Sequence, residues 1–312
     1  MSTGEQVFLF EYATCSSHSL PPSVAVEGCG MFKALFEGFQ NPISFYHEPR
    51  YLELFKEFLE RSEYVLTIAP ETDMELFRLT GEIEKSGTKN LGSSKEAVRI
   101  ATDKFLTYER LKDLSPKTHV YKGKTRLDFP LIAKPRDGVS CEGVMLVRGE
   151  EELEKVPSGY LVQEYVPGRP MSASLLVGDE DRLLSINTQE LVDFKYKGAK
   201  LPVKLSNTEG IMEAVHRIPG LFGYVGVDFV LRDGCPVIIE VNPRPTTPII
   251  ALNRALGINV SELIIRNFNG RPLPDFKPSR MVHLKKTSSK SGYVSCNGSS
   301  IEIEDIYEDI SL

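Results

Sequence analysis

The segment GVDFVLRDGCPVIIEVNPR, residues 226–244, restricts the folds open to this chain more than any other stretch. It reads as two strands joined at Asp233-Gly234, a dipeptide that favours the tight hairpin turn. Residues two apart on a strand face the same side, so Glu240 and Asn242 project together. Asp228 lies on the preceding strand, and the hairpin lays the two strands side by side. Two carboxylates and an amide oxygen then gather around one point. Such hard oxygen donors suit magnesium, which takes one or two carboxylates and completes its shell with phosphate oxygens and water. Arg244, two residues beyond Asn242, carries a forked donor set suited to phosphate. The alternative is a solvated hairpin with surface charges. Apolar residues on both sides of Glu240 argue against it, because a casually exposed acid is out of place there.

At 312 residues the chain exceeds one small core, and two or three packed units are expected. No stretch approaches the roughly 18 to 20 apolar residues of a membrane helix. The opening MSTGEQVFLFEYAT lacks a basic region and runs into Glu11, so no signal peptide is expected and the chain should remain in the cytoplasm. Five cysteines stand singly, with no CxxC pair, which reads as reduced thiols. A net charge of −6 argues against a general nucleic-acid binder, although a few lysines suffice to build a basic pocket.

Along the first 92 residues, VFLFEYA and YVLTIAP read as strands. MFKALFEGF, YLELFKEFLERS and ETDMELFRLTGEIEKSG read as helices. This order predicts an open, mainly parallel sheet covered by helices, Rossmann-like in layout. No GxGxxG follows the first strand, so the unit is assigned a second substrate rather than a dinucleotide. Ser93 or Ser94 can cap a helix running through Phe105. FPLIAKP, EGVMLVR and GYLVQEYVPG then read as strands, and SASLLVGDEDRLLSINTQELVDFKY as a hairpin turning at Asp179 to Asp181. The fold class is therefore α/β joined to α+β. Its units are a Rossmann-like domain over 1–92, a small subdomain over 93–166, a large subdomain over 167–275, and a tail over 276–312 whose alternation hints at an edge strand.

Lys134 ends the apolar run LIA, where a buried ammonium is costly unless it meets an anion. Lys104, in ATDKFLTYE, could equally be a solvated helical lysine. Between the strands, DGVSCEG offers Gly138, Ser140 and Gly143, a loop able to fold over phosphate with backbone N–H groups, though many hairpin loops look alike. In LVQEYVPG, Gln163, Glu164, Tyr165 and Val166 could present an apolar slot and backbone groups to a purine edge. An ordinary edge strand is the plainer reading.

In order along the chain, DKFLTYE, LIAKPRDGVSCEGV, YLVQEYVPG, VGVDFV and IIEVNPR resemble the ATP-grasp superfamily, from about Gly92 to Gly270. The resemblance implies ATP held between two α+β subdomains. Lys104 and Lys134 would lie on ATP, Gln163 through Val166 on the adenine, and Asp228, Glu240 and Asn242 on two magnesium ions, for which manganese may substitute. Arg244 is similar to the arginine that steadies the transferred phosphoryl group. Two departures stand out. Gln163 replaces an acid found in many members, and Pro170 stands where many carry a ribose glutamate, which leaves the ribose contact unassigned. EVNPRPTTPIIALNRALG, LLSINTQELVDFKYKGAKLPV and VFLFEYAT further resemble an archaeal branch of methanofuran biosynthesis that joins the γ-carboxylate of glutamate to tyramine.

The implied reaction runs through an acyl phosphate and needs no protein nucleophile, and no Ser-His-Asp or Cys-His pattern is evident. Arg244, Thr246 and Thr247 are the candidates for a substrate carboxylate, and Glu11 for an ammonium group at the end of the first strand. The expected partners are a small-molecule acid and amine, without nucleic acid or membrane, and the resemblance allows a homodimer. A kinase on the same fold and a non-catalytic nucleotide-binding protein are the rival readings. The complete Asp228, Glu240 and Asn242 set argues against the latter.

Overall fold

The computed structural model describes residues 6–138, 143–289 and 291–307. Its first strand, Val7–Glu11, is buried at all five positions. That requires cover on both faces, as in a parallel sheet between helices. The sheet runs Pro42–Ile43, Val7–Glu11, Tyr64–Ile68, Lys89–Asn90, all parallel, with Glu11 opposite Ile68 at the carboxyl ends. Helices Pro22–Phe36, Tyr51–Glu60 and Glu75–Ser86 pack around it. The first of these begins nine residues before the apolar spacing at Met31 that predicts it. Pro22 occupies the first turn, where a missing N–H costs nothing.

Ser94 caps the next helix, Lys95–Thr102, through the Ala97 N–H. The single helix expected through Phe105 is in fact two. Asp103 takes extended backbone and accepts from the N–H groups of Phe105 and Leu106, starting a second helix, Lys104–Leu111. The small antiparallel sheet follows in the order Thr118–Val120, Leu161–Glu164, Leu131–Lys134, Met145–Val147. The large one runs Arg182–Thr188, Arg169–Val177, Gly223–Arg232, Cys235–Asn242. Asp233 and Gly234 both have positive φ, 52° and 77°, as the predicted tight turn demands.

The C-terminal segment departs from its reading as a tail with an edge strand. Ser299–Ile306 lies inside a five-stranded sheet, between Met281–Thr287 and Val294–Cys296. Met281–Thr287 pairs in turn with Lys195–Leu201, and Glu190–Val192 completes the far edge. The alternation has a core partner: Val282, Leu284 and Ile301 are fully buried and join Val7, Leu9 and Ile250 in one apolar cluster. No helix among the described residues is long and apolar enough to cross a membrane.

Two glycines separate conformational from steric cost. Gly234 has open space around it, whereas a Cβ on Gly223, at φ 68°, would sit 2.1 Å from the Leu91 carbonyl oxygen. Gly234→Ala should therefore cost about 1 kcal/mol of unfolding free energy. Gly223→Ala should cost about 3 kcal/mol. Chemical denaturation checks both; equal losses would show that the Leu91 contact relaxes.

Candidate active site

A cavity of about 560 Å³ opens between the two antiparallel sheets and the carboxyl ends of the parallel strands. The register of the hairpin builds its acidic corner. Asp228 and Glu240 are direct cross-strand partners, and Gly226 faces Asn242. Asn242 donates its amide N–H to Asp228 Oδ2 at 3.0 Å, which leaves its Oδ1 available to the cavity. Gln189 Nε2 donates to Asp228 Oδ1 at 2.7 Å. Burial, followed by the charge of Glu240, pushes the Asp228 carboxyl up to about 7, although both amides and Arg244 pull it back. Two carboxylates so placed call for a cation.

The donor set fits magnesium: two carboxylates and an amide oxygen, with positions left for phosphate and water. Among the described residues no group of three or more His, Cys, Asp or Glu forms a closed metal site. A cation here would complete its shell with water or phosphate oxygens.

Lys104, first in its helix because Asp103 caps it, is almost buried. It stands 3.2 Å from Glu240 Oε1 and donates to the Gly138 carbonyl at 2.8 Å. Burial works against its charge, but the carboxylates of Glu240 and Glu71 outweigh that and hold it above the usual lysine range. Gly138 has φ 110° and lines the cavity. Gly143 does not; it is a turn residue whose Cβ would meet Pro135 at 2.9 Å. Ser140 lies outside the described residues.

Lys134 is buried, with Nζ 3.1 Å from Gln163 Oε1. Gln163 Nε2 donates to Thr118 Oγ1 at 2.8 Å. Both ends of this amide are thus engaged within the protein. Glu164, Tyr165 and Val166 line the cavity beside Ile132, Val144 and Ile239. Pro170 also reaches the wall.

Arg244 lines the cavity too, but its fork meets an acid that the sequence reading missed. Nε and Nη2 bind the two oxygens of Glu71 at 2.8 and 2.7 Å, with side chains only 13% and 4% exposed. Glu71 follows Ala69-Pro70 beyond the carboxyl end of strand Tyr64–Ile68, the place where ligands of open α/β sheets collect. That position was the available signal.

Glu11, at the matching end of Val7–Glu11, is spent largely on its own chain. It accepts from the Ala13 N–H at 2.9 Å, the Thr14 N–H at 2.8 Å and the Thr14 hydroxyl at 2.7 Å, capping a four-residue helix. Gly28 makes room for it, since a Cβ there would lie 2.3 Å from Glu11 Oε1. Thr246 packs over Gly226, and the Thr247 hydroxyl donates to Glu27.

Comparison with known proteins agrees with this geometry. Residues 101–248 match the ATP-grasp domain and residues 36–98 the pre ATP-grasp 3 domain. The chain is 33% identical to tyramine–L-glutamate ligase of Methanocaldococcus fervens, over 86% of this chain and 95% of that one. A crystal structure of an ATP-grasp superfamily protein from Archaeoglobus fulgidus superposes with a TM-score of 0.83 at 34% identity, covering 97% of this chain and 100% of that one. L-amino acid ligase from Bacillus licheniformis shares the fold alone, at a TM-score of 0.70 and 16% identity over 92% and 81% of the two chains. The acidic corner, the two lysines and these likenesses converge: the chain belongs to the ATP-grasp superfamily, among its ATP-dependent carboxylate–amine ligases.

Proposed function

We propose that this ligase joins the γ-carboxylate of L-glutamate to the amine of tyramine in the cytoplasm, releasing ADP and phosphate. The observation that carries the reaction type is the gathering of Asp228, Glu240, Asn242, Lys104, Lys134 and Arg244 on one cavity. The substrate pair rests on the likeness to the Methanocaldococcus enzyme, which extends over nearly all of both chains.

In this reading Asp228, Glu240 and Asn242 hold two magnesium ions, which supply neutralising charge to the ATP phosphates. Lys104 and Lys134 place ammonium groups against the phosphates, and the hinge from Gln163 to Val166 receives the adenine. With the Gln163 side chain engaged by Lys134 and Thr118, the adenine edge falls to the hinge backbone. Among the described residues nothing holds the Val166 N–H, which makes it the available donor.

A substrate carboxylate oxygen attacks the γ-phosphorus of ATP, the bond to the bridging oxygen breaks, and ADP leaves. The amine nitrogen then attacks the acyl carbon and expels phosphate. No protein nucleophile takes part. The chain contributes positioning and charge, the two effects on which phosphoryl transfer depends. Arg244, its plane fixed by Glu71, faces the group in transfer.

The decisive measurement is ADP release with ATP, magnesium and L-glutamate, with tyramine added or withheld, followed by mass spectrometry. ADP formed only with both, and a product of the γ-glutamyltyramine mass, is the expected result. A phosphorylated metabolite would identify a kinase instead. Glu240→Gln should lower kcat by about a hundredfold or more while leaving the melting temperature close to the wild type. Near-normal turnover in that variant would remove Glu240 from the metal site. Lys134→Ala should weaken nucleotide binding by about tenfold or more, read by calorimetric titration with a non-hydrolysable analogue. An unchanged affinity would place the nucleotide elsewhere.

A further inference from the structure

One wall of the cavity belongs to the Rossmann-like unit and is not used by the nucleotide in the reading above. Glu27, on helix Pro22–Phe36, lines it. Its two oxygens are held by Lys286 Nζ and the Thr247 hydroxyl. These partners come from strand Met281–Thr287 and from the loop just past Arg244, so three distant segments converge on one carboxylate. The Glu27 and Lys286 side chains are only 14% and 11% exposed. Lys286 stands behind the carboxylate rather than on the cavity wall. An ionised carboxylate has about four acceptor positions, so two donors do not exhaust it. Glu11, by contrast, already accepts three hydrogen bonds from its own segment.

A second, independent feature lies beside it. Tyr196, on strand Lys195–Leu201, lines the same cavity, and Lys286 Nζ lies 5.6 Å from its ring centroid. Its hydroxyl is buried and has no hydrogen-bond partner among the described residues. Folded proteins leave few buried hydroxyls unpaired, because each loses its water without compensation. That oxygen has no exposed surface, so Tyr196 meets the cavity through atoms other than its hydroxyl. Of the charges around it, Glu27 acts most strongly. Leu20, Val24, Met31, Ile68 and Ala69 supply an apolar surface nearby. Thr247, whose hydroxyl holds Glu27, lies three residues past Arg244, and both line the cavity.

We propose that Glu27 forms the subsite for the substrate's amino group, and that this subsite selects a small primary amine carrying an apolar body. This rests on the ligase reading above and adds the residue that chooses its nucleophile. The ammonium donates to Glu27, while Lys286 and Thr247 hold the Glu27 carboxylate in place.

The test is calorimetric titration of tyramine into the protein loaded with magnesium and a non-hydrolysable ATP analogue. Glu27→Gln should weaken tyramine binding roughly tenfold to a hundredfold, with nucleotide affinity unchanged. 4-Ethylphenol, which keeps the ring and lacks the amine, should bind wild type and Glu27→Gln equally. Should Glu27→Gln fail to fold, the wild type alone decides: tyramine should bind at least about tenfold more tightly than 4-ethylphenol. Tyramine affinity unaffected by Glu27→Gln would overturn the subsite, as would equal wild-type affinity for tyramine and 4-ethylphenol, or no binding of tyramine, phenethylamine or benzylamine to wild type. If tyramine binding depends on Glu27 but no amide forms, the reaction assignment fails and the subsite stands.

Discussion

The cross-strand pairing of Asp228 with Glu240 organises this molecule. The two-residue turn sets a register that runs from Arg232 opposite Cys235 to Phe229 opposite Ile238 and would face Asp228 with Ile239. A one-residue shift between Asp228 and Phe229 brings Asp228 opposite Glu240 instead, and sets two carboxylates face to face on a half-buried surface. Like charges so close cannot both ionise without support. The surrounding structure can be read as that support. Gln189 and Asn242 donate to Asp228, Lys104 pairs with Glu240, and a cation would complete the neutralisation. The Asp103 cap starts the helix that brings Lys104 to this point, and the small sheet places Lys134 on the same cavity.

Two buried ion pairs tie the parallel-sheet unit to the remainder. Glu71 grips Arg244, and Glu27 joins Lys286. Removing one partner from such a pair leaves a buried charge uncompensated, so these contacts oppose separation of the units more than they add net stability. Both also stand at the cavity. The interface that holds the units together is therefore the surface that shapes the pocket, where helix Pro22–Phe36, strand Cys235–Asn242 and the C-terminal sheet meet.

Much of this was legible locally. The apolar runs named the parallel strands, Asp233-Gly234 named the hairpin, and the two-residue spacing of Glu240 and Asn242 named the face they share, because each follows from backbone periodicity or turn geometry. The misreadings share a cause. Asp103 looked like a mid-helix residue until its carboxylate was seen to cap the next helix and pair with Arg136 at 2.8 and 2.6 Å. Ser299–Ile306 carried a correct strand pattern, but alternation does not say how many neighbours a strand has.

By itself the sequence determined the order of elements, the chemistry of the acidic hairpin and the superfamily, since these depend on residues close together in the chain or on short ordered motifs. Only the tertiary structure decided which charges meet. Glu71 with Arg244 and Glu27 with Lys286 join positions up to 259 residues apart. Such contacts arise from how layers pack, and one-dimensional spacing carries no record of that.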